Sequence, residues 1–135
     1  MFILNPKPAY QEEQDNKPKP PKEHEKFFAV LAHLAGLFWL PILPAPIVAI
    51  ALPFIVLQFA RVHSDFVEQH AREACNFQML MGCFYIFALV ATYFLNTTFL
   101  LWWVGVGASL FSMWQGGRAI NGWQAKYPAK LNIFK

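Results

Sequence analysis

Two long apolar stretches dominate this chain, and its charges are confined to the segments around them. Residues 27–60 form a run of 34 without a formal charge, and residues 74–117 form a second run of 44. A helix that crosses a membrane needs about 20 apolar residues, so each run has room for two crossings joined by a tight turn. The first run breaks where Pro41, Pro44 and Pro46 fall within six residues, a series that no helix continues through. The second breaks at Asn96-Thr97-Thr98, the polar cluster within it. Four spans are therefore predicted, at about 27–42, 46–61, 75–95 and 99–117. The expected fold is all-α and integral to a membrane: a four-helix transmembrane bundle built of two hairpins.

The first hairpin is the short one. Sixteen helical residues reach about 24 Å, less than the ~30 Å of a hydrocarbon core, and Pro53 interrupts the second span. Full crossing is expected, with local thinning or a re-entrant hairpin as the alternatives. Between the hairpins, Asp65-Phe-Val-Glu68 can cap a helix, and Glu68 and Arg72 stand at the favourable i,i+4 spacing. A short interfacial helix is expected there, running straight into span three.

Charge adds an orientation. All eleven Lys and Arg residues lie outside the two runs: five in the N-terminal segment, Arg61 and Arg72 in the middle, four after Gly117. With four spans they share one face, which the positive-inside rule makes cytoplasmic, so both termini are expected there. Trp39, Trp102 and Trp103 would form an interfacial belt near the two tight turns, with Trp114 and Trp123 toward the other side. The domains expected are a disordered cytoplasmic tail at 1–26, a four-span membrane domain at 27–120 and a basic cytoplasmic tail at 121–135. The first of these holds five Pro, five Lys and five acids between residues 5 and 26, a composition that favours solvated, extended chain. Its start at Met1-Phe2-Ile3-Leu4 is too short and too soon broken by proline to read as a secretory signal.

Composition changes little. At 135 residues, 56% hydrophobic and 14% charged, the chain is more apolar than an ordinary soluble domain. The net charge of +3 reflects the last segment, where Arg118, Lys126, Lys130 and Lys135 have no acid among them. Anionic lipid headgroups suit that segment, and nucleic acid does not.

Candidate chemistry is sparse. His33 is the ionisable side chain inside the first run, and such residues are functional candidates by default, although hydrogen bonding to a neighbouring helix explains them as well. His70 and Glu73 stand one turn apart, a weak metal pair without further ligands. The better reading of His70, Arg72, Glu73, Asn76 and Gln78 is a polar network at the start of span three. Cys75 and Cys83, eight residues apart on one helix, are too distant to pair and read as buried thiols. Gly105, Ser109, Ser112 and Gly116 form a small-residue stripe suited to close helix approach, within the bundle or between copies. No phosphate loop, paired-carboxylate site or nucleophile–base motif is apparent. Catalytic, cofactor-binding and metal residues are therefore expected to be absent, and no enzyme is expected.

Three pieces of the chain carry a resemblance: Leu31-Ala-His33-Leu-Ala-Gly36; His70-Ala-Arg72-Glu73-Ala-Cys-Asn76-Phe77-Gln78; and Arg118-Ala-Ile-Asn-Gly122 through Tyr127-Pro128. Over about 27–134 the chain resembles a widespread bacterial family of small membrane proteins of unknown function. That family looks distantly similar to the twenty-kilodalton channel subunit of the chloroplast inner-envelope translocon (Tic20-like). The resemblance implies a four-helix membrane bundle in the bacterial inner membrane with both termini cytoplasmic. It also suggests a non-enzymatic translocon-like or accessory component, as a homo-oligomer or in a larger membrane complex. The alternatives are a small transporter or channel using His33 and the polar residues of span three, and a membrane immunity or stress protein.

Overall fold

The computed structural model describes residues 19–43, 45–61, 63–127 and 131–134. Four α-helices and one 3-10 turn make up the regular structure, with no strand among the described residues: α1 Glu23–Leu34, the turn Ala35–Trp39, α2 Ile47–Ala60, α3 Asp65–Leu95 and α4 Phe99–Ile120. The all-helical expectation therefore holds. Four crossings are not established by it, because α3 is the one described helix both long and apolar enough to span a membrane. At 12 and 14 residues, α1 and α2 rise only about 18 and 21 Å. In α4, Gly105, Gly107, Ser109, Ser112 and Gln115 dilute the apolar sequence.

The predicted spans and the observed helices differ most at the start. Helix α1 begins at Glu23, inside the segment read as tail; residues 1–18 of that segment lie outside the described residues. It ends at Leu34 and tightens into the 3-10 turn well before the prolines. A Cβ on Gly36 would stand 1.9 Å from the Ser112 hydroxyl oxygen and 2.8 Å from the Gln78 amide nitrogen, so only glycine lets α3 and α4 bring polar side chains this close.

Other ends follow local chemistry. Ser64, one residue before the predicted Asp65, caps α3 by accepting from the Val67 amide at 3.3 Å. Asn96 closes α3 in the left-handed region at φ 51°, ψ 40°, as asparagine does after a helix. Gly122, at φ 73°, lets the chain reverse after α4, with Trp123 N–H donating to the Arg118 carbonyl at 2.9 Å. Between Asp65 and Leu95 the helix is unbroken, so the interfacial helix and span three are one element, with Glu68 and Arg72 ion-paired on its surface.

The interior is built from small residues. Eleven of the nineteen buried hydrophobic residues are alanine, whereas Phe59, Phe87, Tyr93, Phe94, Trp103 and Trp114 are exposed. The small stripe of α4 faces α1 and the 3-10 turn: a Cβ on Gly105 would meet the Trp39 carbonyl oxygen at 2.6 Å, and Ser109 Oγ bonds its own Gly105 carbonyl at 2.8 Å. Trp39 does not belong to an exposed belt. It is 3% exposed and donates its indole N–H to Gln78. Cys75 is buried as expected, but Cys83 is exposed; both are free thiols.

Candidate functional site

Buried polar side chains from α1, α3, α4 and the C-terminal segment meet in one continuous chain. His33, on α1, and His70, on α3, are both 0% exposed. His33 Nδ1 lies 2.8 Å from the Tyr127 hydroxyl, His33 Nε2 lies 2.8 Å from His70 Nδ1, and His70 Nε2 lies 2.8 Å from the Trp123 carbonyl oxygen. The carbonyl can only accept, so His70 carries its proton on Nε2. With both rings neutral, His70 Nδ1 then accepts from His33 Nε2–H, and His33 Nδ1 accepts from the Tyr127 hydroxyl. Every bond points the same way.

The chain extends upstream. Trp39 N–H donates to Gln78 Oε1 at 2.6 Å, Gln78 Nε2 donates to Ser112 Oγ at 3.2 Å, and the Ser112 hydroxyl stands beside that of Tyr127. Buried polar groups without partners cost about 1–3 kcal/mol each, and this arrangement satisfies them in series. Tyr127 is packed by Phe77, stacked at 4.0 Å between centroids and 14° between planes. Burial raises its hydroxyl pKa well above the usual value, which keeps it a donor.

The C-terminal segment is docked by side-chain amides. Gln115 pairs with the Lys126 peptide unit, accepting its N–H at 2.9 Å and donating to its carbonyl. Asn76 accepts from the Ile133 and Phe134 amides at 2.9 and 2.8 Å and donates to the Phe134 carbonyl at 3.0 Å. Arg118 Nε adds a bond to the Gln124 carbonyl at 2.9 Å. Residues 123–127 and 131–134, read from sequence as tail, thus form a strap across α3 and α4.

Among the candidates taken from sequence, His33, His70, Asn76 and Gln78 are enclosed together, although Asn76 serves the strap instead of the ring chain. Arg72 turns outward to Glu68. Glu73 is half-buried, near enough to Tyr127 for its charge to act on the hydroxyl. His33 and His70 bond each other directly, so no ion fits between them. No group of three or more His, Cys, Asp or Glu is placed to hold a metal among the described residues. Sequence reasoning missed Tyr127, Gln115 and Trp39 as partners. Gln115 carried a signal, as a lone polar side chain between Met113-Trp114 and Gly116-Gly117; Tyr127, next to Lys126 in a polar segment, carried none.

None of the curated proteins and none of the solved structures matches the chain. The likeness to the translocon channel subunit fails, because the residues that carried it fall inside a match to a different family. That match spans residues 24–134 and takes in α1 to α4, both histidines and the strap: the chain belongs to MamF/MmsF, the magnetosome magnetite crystal formation protein family.

Proposed function

We propose that this chain is an integral, multi-pass protein of the magnetosome membrane that serves magnetite crystal formation as a non-enzymatic component. Within this reading the membrane is the magnetosome's own, in place of the inner membrane at large. The observation that carries it is the inverted packing: alanine and polar residues inside, Phe, Trp, Leu and Ile outside. In lipid, helices gain little by burying large apolar side chains and associate through small residues and hydrogen bonds. The segregation of all eleven basic residues supports four passes with both ends on the cytoplasmic face and the Asn96 turn toward the lumen. Enclosure of His33 and His70, whose ring nitrogens are taken up by each other, the Tyr127 hydroxyl and the Trp123 carbonyl, supports an architectural role over a transport one.

The test uses intact magnetosomes and a Cys75→Ser, Cys83→Ser background. Single cysteines introduced at Thr97 and Gln124 are probed with a membrane-impermeant maleimide, and alkaline carbonate tests extraction. The expected result is labelling at Gln124, protection at Thr97 until detergent is added, and retention in the carbonate pellet. Equal labelling at both positions, or release by carbonate, overturns the reading. Removal of the chain from a magnetite-forming cell should change crystal size or shape; unchanged crystals overturn the functional half.

A further inference from the structure

A cavity of about 570 Å³ opens between α1 and α2, lined mainly by Phe28, Leu31, Leu52, Ile55, Val56 and Phe59. Its volume lies in the ~300–1,000 Å³ range of ligand sites, and almost nothing polar faces into it. At its mouth stand Glu25, His63 and Ser64, which also border a second cavity of about 860 Å³. That second cavity is more polar than the first, with Lys19, Lys22 and Lys26 near Glu25 and Asp65, and Lys26 ion-paired with Glu23 at 3.0 Å. The two share a rim, so they form one site that is apolar at one end and charged with both signs at the other.

We propose that this site binds one phospholipid with an ethanolamine headgroup, its acyl chain between α1 and α2 and its headgroup at the lysine and carboxylate rim. The proposal rests on the membrane reading above. A lipid carrying only negative charge would meet the lysines but be repelled by Glu25 and Asp65. A choline headgroup has no N–H to donate to a carboxylate. An ethanolamine phosphate presents its phosphate to the lysines and three N–H donors to the acids. Glu25 is held ready for this: its carboxylate accepts from the Lys22 amide at 2.6 Å, and that bond, with Ser64 beside it, keeps its pKa below the usual range.

The full chain, purified in mild detergent, is examined by native mass spectrometry with phosphatidylethanolamine, phosphatidylglycerol and phosphatidylcholine added in equal amounts. One ethanolamine lipid should be retained in preference to the others. Leu52→Trp, which fills the apolar cavity, should abolish retention. Glu25→Gln keeps the bond to the Lys22 amide but removes the charge, and should lower the preference about threefold to fivefold, as loss of a partly exposed ion pair does. Helical circular dichroism is recorded for each variant; if Leu52→Trp unfolds, Ile55→Trp on the exposed side of the same cavity replaces it. Equal retention of all three lipids, or retention indifferent to the cavity-filling variant, overturns the site. Carbonate extraction of the unmodified chain tests the membrane reading separately, so the two failures are distinguishable.

Discussion

The two ends of this helical hairpin stack are held by different physics. At the histidine end, α1, α3, α4 and the strap are joined by directional bonds: His33 to His70, Gln78 to Ser112, Asn76 and Gln115 to backbone. At the Asn96 end, α3 and α4 extend beyond the shorter first hairpin and present Tyr93, Phe94 and Trp103 at 84, 77 and 65% exposure. A side chain there answers to its surroundings; one at the histidine end answers to a specific partner. The same kind of substitution should therefore have unequal effects at the two ends.

The sharpest break in that contrast is His33→Leu. It leaves the Tyr127 hydroxyl without its acceptor and His70 without its donor, each at about 1–3 kcal/mol, so a loss of about 3 kcal/mol is expected in denaturant unfolding of the detergent-solubilised chain. An unchanged midpoint would mean that the ring chain carries no weight. Asn76→Ala comes next, at about 1–2 kcal/mol. Amide hydrogen exchange should accelerate at Ile133 and Phe134 while the Lys126 amide, held by Gln115, keeps its protection; uniform acceleration would show that the strap has no separable parts.

A smaller effect concerns alkali. Burial raises the Tyr127 pKa, so its contribution to stability is complete below the unfolded value of about 10 and lost as pH rises beyond it toward the folded value, by at most about 1.4 kcal/mol per pH unit. Tyr127→Phe should flatten this alkaline limb relative to the unsubstituted chain, and parallel limbs would place the titration elsewhere. The least effect is expected from Phe87→Ala at the Asn96 end, 67% exposed and so within about 0.5 kcal/mol in micelles. A loss beyond 1.5 kcal/mol would reveal a packing partner for that face.

Much of the helical frame was legible because it is local. Prolines 41 and 46, the Asn96-Thr97-Thr98 break and the Glu68–Arg72 pair act within a few residues of themselves, and each left a mark in the sequence. The burial of Trp39 was not legible, because its indole partner Gln78 arrives from another helix. The site divides the same way. His33 stood out as an ionisable residue in an apolar run, but its partners His70 and Tyr127 lie 37 and 94 residues away, and nothing periodic announces such a meeting. The strap escaped notice because its bonds run from Asn76 and Gln115 to backbone, which has no sequence signature. The family resemblance erred because it rested on three short strings, whereas the family match runs over residues 24–134.

The single direction of the hydrogen bonds from Tyr127 to Trp123 means that the two imidazole rings do not choose their tautomers independently. Shift the proton on one ring and two donors, or two lone pairs, face each other at the next position, so the fault must travel to an end of the row to be relieved. Four combinations of tautomers thereby collapse to one favoured state. The interior of this bundle is consequently a poor place to store alternatives: it has one low-energy arrangement, anchored by a carbonyl that cannot reverse.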